Sequence, residues 1–182
     1  MWCFRGFSTL QIQLFIVAMT CIPREADANR EVLKTDPVDD SNGWWTGLVW
    51  DRNHDTGEVR IRIERWVENK RGFDNPHTWR IRPDFWEEEH TAVSDLELGK
   101  GEVPPDSLPV DNYLTPRRYR LVRKDGVRWV AAVLVERPEK GECVRLYHWD
   151  SDGRVRQKWT VGKHWPELVK KANSAAEAAK LV

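Results

Sequence analysis

The chain has 182 residues, 40% hydrophobic and 32% charged, with a formal net charge of zero. These values exclude a disordered chain and give bulk charge no pull toward nucleic acid or a membrane surface, and the length suits one domain that buries a core unaided. Cys3, Cys21 and Cys143 are too few and too scattered for a disulfide framework or a metal site, and Cys143, among apolar strand positions, reads as a small buried hydrophobe.

Residues 1–22 have the outline of a signal peptide, with Arg5 ahead of an apolar stretch and no acidic residue before Glu25. Ser8, Thr9, Gln11 and Gln13 interrupt it, leaving Leu14 to Met19 as the continuous apolar run, short of the roughly 20 residues a spanning helix needs. Three readings stand: a true start at Met19 or else an unstructured extension, an export signal, or a membrane anchor. The protein is expected in the cytoplasm unless residues 1–22 export it, and off the membrane unless they anchor it. Residues 24–43 are polar, with Asp36-Pro37, Asp39-Asp40 and Asn42-Gly43, and show no period, so they read as a linker.

The folded part then begins at Trp44. Val59, Ile61 and Ile63 alternate with Arg60, Arg62 and Glu64, the period-two pattern of a half-buried strand over 58–67, joined to a Trp44–Trp50 strand by a loop. Thr78–Arg82 reads as a short edge strand stopped by Pro83. Residues 83–115 carry nine Asp/Glu against one Lys and three further prolines, and read as an irregular acidic connection with one helical turn near Phe85–Glu89.

Four strands follow, at 118–124, 127–136, 142–149 and 154–161. Asp125-Gly126, Pro138 to Gly141 and Ser151-Asp152-Gly153 separate them, which is hairpin chemistry and predicts an antiparallel meander. From Pro166 the period changes: Leu168, Ala172, Ala175, Ala176 and Ala179 share one face of a helix. The sum is an α+β protein, a Trp-rich antiparallel sheet of roughly five to seven strands with a C-terminal helix, as one domain over 44–182 behind a flexible N-terminal extension over 1–43. Eleven Trp fit both core walls and binding surfaces, and those left exposed are the ones that signal a surface.

Function is read from the strand faces. With Tyr119, Leu121, Val144, Leu146 and Val155 inward, the opposite face carries Arg118, Arg120, Arg145, Tyr147, Arg154, Arg156 and Lys158, and the 58–67 strand adds Arg60, Arg62 and Trp66. Arginine forks interleaved with aromatics suit phosphates and bases, yet they equally make a solvated face, or one covered and neutralised by the acidic 83–115 segment. The preferred reading is a non-enzymatic binding module that engages a partner protein through this Arg/aromatic face. The alternative is an RNA-binding protein or small ribonuclease using His148 with Arg154 and Arg156. Asp150, two residues from His148, then either orients the imidazole or starts the following turn. The run Trp149-Asp150-Ser151-Asp152-Gly153-Arg154-Val155-Arg156 resembles a hairpin of small toxin-like domains, with arginines where those have histidines, and transfers no residue role. The five histidines lack metal-ligand spacing, and neither a phosphate loop nor a nucleophile elbow appears, so neither metal nor cofactor is expected.

Overall fold

A computed structural model describes residues 29–69, 72–73 and 77–180, so the signal-like segment lies outside the described residues. Among the described residues, nine strands and two helices follow one another as β1 (Arg30–Ser41), β2 (Trp44–Asn53), β3 (Val59–Asn69), β4 (Gly72–Phe73), β5 (His77–Ile81), α1 (Trp86–Glu97), β6 (Thr115–Lys124), β7 (Arg128–Arg137), β8 (Gly141–Asp150), β9 (Val155–Thr160) and α2 (Trp165–Lys180). The α+β class, the antiparallel pairing and the C-terminal helix agree with the sequence reading. The strands divide between two sheets, one ordered β1-β2-β3 with β4 and β5 both on the far edge of β3, the other β6-β7-β8-β9.

The second sheet is the meander read from the sequence. Its turns are held by their aspartates: Asp125 Oδ1 accepts from the Val127 and Arg128 N–H groups, and Asp150 Oδ1 from those of Asp152 and Arg154.

Two segments correct the sequence reading. Residues 30–41, taken as linker, form β1, and Asn42-Gly43 is its hairpin turn, with φ of 53° and 73° at the two central positions. Both residue types tolerate the left-handed region, and this turn matches the twist of the flanking strands. The acidic connection, taken as irregular with one helical turn, holds the three-turn helix α1. Glu87, Glu88 and Glu89 occupy its first turn, where negative charge meets the positive end of the helix dipole.

One core fills the space between the sheets and helices. Leu48, Ile61, Ile63, Trp79 and Ile81 face it from the first sheet, Val130, Ala132, Val144, Leu146 and Trp159 from the second. Trp86 and Leu96 of α1 and Trp165, Leu168 and Ala172 of α2 complete it. Trp86 meets Trp165 edge to face, with ring centroids 5.7 Å apart, and its Nε1–H donates to Asn173 Oδ1 at 2.7 Å, which ties the helices together.

The second sheet is covered on its other face too. There Leu108 and Leu114, from the segment between α1 and β6, pack on Ala131, Val133, Val135, Tyr147 and Trp149, and Trp149 Nε1–H donates to the Pro109 carbonyl. β7 therefore buries four consecutive residues, Val130 to Val133. The first sheet's outer face carries a smaller cluster, Trp45, Val49 and Trp66, beside the buried carboxylates of Asp51 and Glu64.

Candidate functional site

Where the C-terminal end of β5 approaches the start of β7 and one face of α2, a cleft of about 640 Å³ opens between the sheets. Register builds it. Ile61 pairs with Ile81 across β3 and β5 and supplies an apolar floor, while the adjacent Arg60 and Arg80 reach its rim. Trp50, Val59, Phe85 and Ala175 add apolar wall; Arg82, Asp84 and Arg128 line the rest.

The arginines differ in how far they are committed. Arg60 and Arg80 each donate to a separate oxygen of Glu58 at 2.5 Å, so one carboxylate serves two guanidinium groups. Arg82 is held at its outer nitrogens: Nη2 donates to His148 Nδ1 at 3.1 Å and to Gln157 Oε1 at 3.4 Å, and Nη1 lies 3.6 Å from Glu89 Oε1, outside hydrogen-bond distance. Because a guanidinium only donates, His148 Nδ1 accepts and its proton sits on Nε2. Arg128 makes no ion pair among the described residues, and its charge reaches both Arg82 and His148.

Electrostatics follow from this crowding. Burial, then the positive charges of Arg82 and Arg128, push His148 down to about 4, so its imidazole is neutral near neutral pH. Burial pushes Glu89 up to about 7, against the opposing pull of the Trp79 Nε1–H bond at 2.9 Å and the Arg82 charge. Behind the cleft lies a carboxyl poised to protonate, and at its mouth lies unbalanced positive charge.

The residues singled out in the sequence do not form one surface. Residues paired directly opposite each other share a face, and the register Tyr119↔Val133↔Arg145 puts Tyr119 and Leu121 on the face of Arg145 and Tyr147. Arg118 and Arg120 share the other face with Val144 and Leu146. Leu121 and Val155, expected inside, are 45% and 40% exposed. Arg118 donates to the Gly99 carbonyl and Arg120 to Asp95 at 2.9 Å, both at the end of α1. Arg145 and Lys158 converge on Asp111, at 2.7 and 2.6 Å, with Tyr147 and Tyr113 beside them. The acidic connection thus lies across that face and neutralises it, one of the alternatives the sequence offered.

Arg62 is locked on the outer face of the first sheet between Asp51 and Glu64, at 2.6 and 3.0 Å. Arg156 pairs with Asp150 at 2.7 Å, and the other oxygen of that carboxylate caps the 150–154 turn, so Asp150 does not orient His148. Arg154 also belongs to that turn, through its backbone N–H. Of the candidate residues, Arg60 and His148 border the cleft region; Arg80, Arg82, Arg128 and Glu89 were missed. The one signal for them was the Arg80-Ile81-Arg82 alternation running into Pro83.

Among the described residues, no group of three His, Cys, Asp or Glu is placed to hold a metal ion, and no helix is long and apolar enough to cross a membrane. No protein-family model matches the chain, and no curated protein matches it in sequence.

Proposed function

We propose that the protein is a non-enzymatic binding module that receives an acidic segment of a partner protein in the arginine cleft. The observation that carries this reading is the end of the cleft, where Arg128 lacks an ion pair among the described residues and Arg82 lacks a carboxylate at hydrogen-bond distance, next to a wall of Trp50, Ile61, Ile81 and Phe85. A side chain or backbone with an apolar body and a carboxylate satisfies both, because arginine forks accept carboxylates in bidentate fashion. The volume lies within the roughly 300–1,000 Å³ of ligand-binding pockets.

The RNA reading finds less support. A strand of RNA needs a continuous cationic track with stacking aromatics, whereas Arg62, Arg120, Arg145, Arg156 and Lys158 are each spent on a carboxylate of the protein itself. His148, bonded to Arg82 and lacking an orienting carboxylate, is a weak base.

The test is calorimetric titration with an acidic, Phe-containing peptide and with a generic RNA oligomer, for the wild type and Arg128→Glu. The reading expects peptide binding that falls about tenfold or more on charge reversal and weakens with salt. Peptide binding indifferent to Arg128→Glu, or RNA binding that the peptide does not displace, defeats it.

A further inference from the structure

A second recess, at the opposite end of β3 from the cleft, is independent of it in residues and chemistry. Thr46 of β2 pairs with Arg65 of β3, and Trp44 pairs with Val67 one step along the same face. The Arg65 guanidinium lies over the Trp159 ring, 4.6 Å from its centroid. Burial pushes its pKa down, and the charge of Asp39 is the one opposing influence. The Arg65 side chain makes no hydrogen bond or ion pair among the described residues, which leaves a half-desolvated cation with the charge of Asp39 as a distant counterweight, an arrangement that a bound anion would relieve.

The space beside it, about 420 Å³, is walled by Trp44, Thr46, Arg65, Asp39 and the Gly162-Lys163-His164 turn that leads into α2. Lys163 makes no ion pair among the described residues either, though its charge helps hold the Asp39 carboxyl below its ordinary value. Asp39 is the one carboxylate lining the recess, and it is already engaged: Oδ1 accepts from Ser41 Oγ at 2.7 Å and Oδ2 lies 3.1 Å from His164 Nε2. Gly162 lies beside the guanidinium, where a Cβ would stand 3.4 Å from Arg65 Nη2. At the mouth, Trp44 is 46% exposed, while seven other tryptophans of the described residues are buried and two are half-buried.

We infer that this recess binds a nucleoside monophosphate, with Arg65 and Lys163 on the phosphate and the base against the Trp44 indole. A phosphomonoester carries close to two negative charges near neutral pH, which outweigh the single charge of Asp39 in drawing on Arg65 and Lys163, neither of them held in an ion pair among the described residues, and its oxygens suit the guanidinium fork. Trp44 supplies the flat apolar partner that a purine stacks on, and stacking of this kind tolerates any base. An inorganic anion alone would leave that indole in water. The inference goes beyond the cleft reading and stands without it.

The experiment is calorimetric titration of the full chain with adenosine 5′-monophosphate, adenosine and inorganic phosphate as probes. The monophosphate is expected to bind more tightly than either fragment. Arg65→Gln and Lys163→Ala each weaken it about tenfold, with unchanged circular dichroism. Trp44→Ala weakens the monophosphate about tenfold and leaves inorganic phosphate unaffected. Arg128→Glu, in the cleft, changes nothing here, so failure of either site is read separately. Absence of monophosphate binding to the folded wild type overturns the inference, as does binding indifferent to both Arg65→Gln and Lys163→Ala. Equal affinity for phosphate and monophosphate, with Trp44→Ala silent, overturns the nucleotide.

Discussion

Glu89→Gln isolates the energetic cost of the buried carboxyl behind the cleft. The native carboxyl sits near 7 and its ordinary value is 4.5, the rise coming from burial. Between those pH values the unfolded chain has released this proton and the native protein still holds it. Stability from this group is therefore fully present below 4.5 and is lost as pH rises through 7, by about 1.4 kcal/mol per pH unit and about 3 kcal/mol in all. Glutamine keeps an acceptor for Trp79 Nε1–H and has nothing to ionise. Relative to the wild type, Glu89→Gln should gain about 3 kcal/mol between pH 4.5 and pH 8, equivalent to a difference in Tm of about 10 °C for a domain of this size. Urea denaturation of both proteins at closely spaced pH values measures it. The comparison between the two proteins is required, because His148 acts in the reverse direction over an overlapping window. Its depressed value means stability that is present above 6.5 and lost as pH falls toward 4. A stability difference that stays constant from pH 4.5 to pH 8, or that moves against Glu89→Gln, refutes the reasoning.

Two further outcomes follow from the same geometry. The His148 imidazole should titrate with a midpoint near 4 by NMR, and Arg82→Met should raise that midpoint by removing a neighbouring positive charge; a wild-type midpoint at 6.5 would be incompatible with the cluster. Gly47→Ala should destabilise the protein by about 1–3 kcal/mol in denaturant titrations, because the new methyl would sit 2.6 Å from the Asp36 carbonyl oxygen and 2.8 Å from Pro37 Cα, backbone atoms of β1 that cannot step aside. A neutral result would mean that β1 does not lie where the register puts it.

The second sheet, β3 and α2 were legible because their signals are local: aspartate-glycine turns, strict alternation, and a proline at the start of an alanine-faced helix. β1 was not, for a physical reason. It is an edge strand with irregular register at Val32/Lys34 and Pro37/Asp39, so its side chains never alternate for long, and its polar residues belong to an exposed edge. The Asn42-Gly43 pair was the available clue, and it lost weight without an apolar run before it. In α1 the buried stripe is Trp86, Glu89, Ala92, Val93 and Leu96, at helical spacing but with a carboxylate in the middle, which disguises the period. The assignment of arginines to one face failed at a longer range. Alternation fixes which residues of a strand agree with one another, but only the register across two hairpins fixes which strands agree. The cleft lay further out of reach, since Arg82, His148 and Glu89 meet only when β5, β8 and α1 are packed together.

The sandwiching of β7 between two separate cores has a bearing on how this chain can vary. A strand with one wet side lets every second position drift, whereas Val130, Ala131, Ala132 and Val133 have none to spare, and Ala131 and Ala132 leave no room for a larger neighbour. Saturation mutagenesis should therefore show an unbroken intolerant block there. Divergent sequences of this fold would keep that short run of small and branched residues.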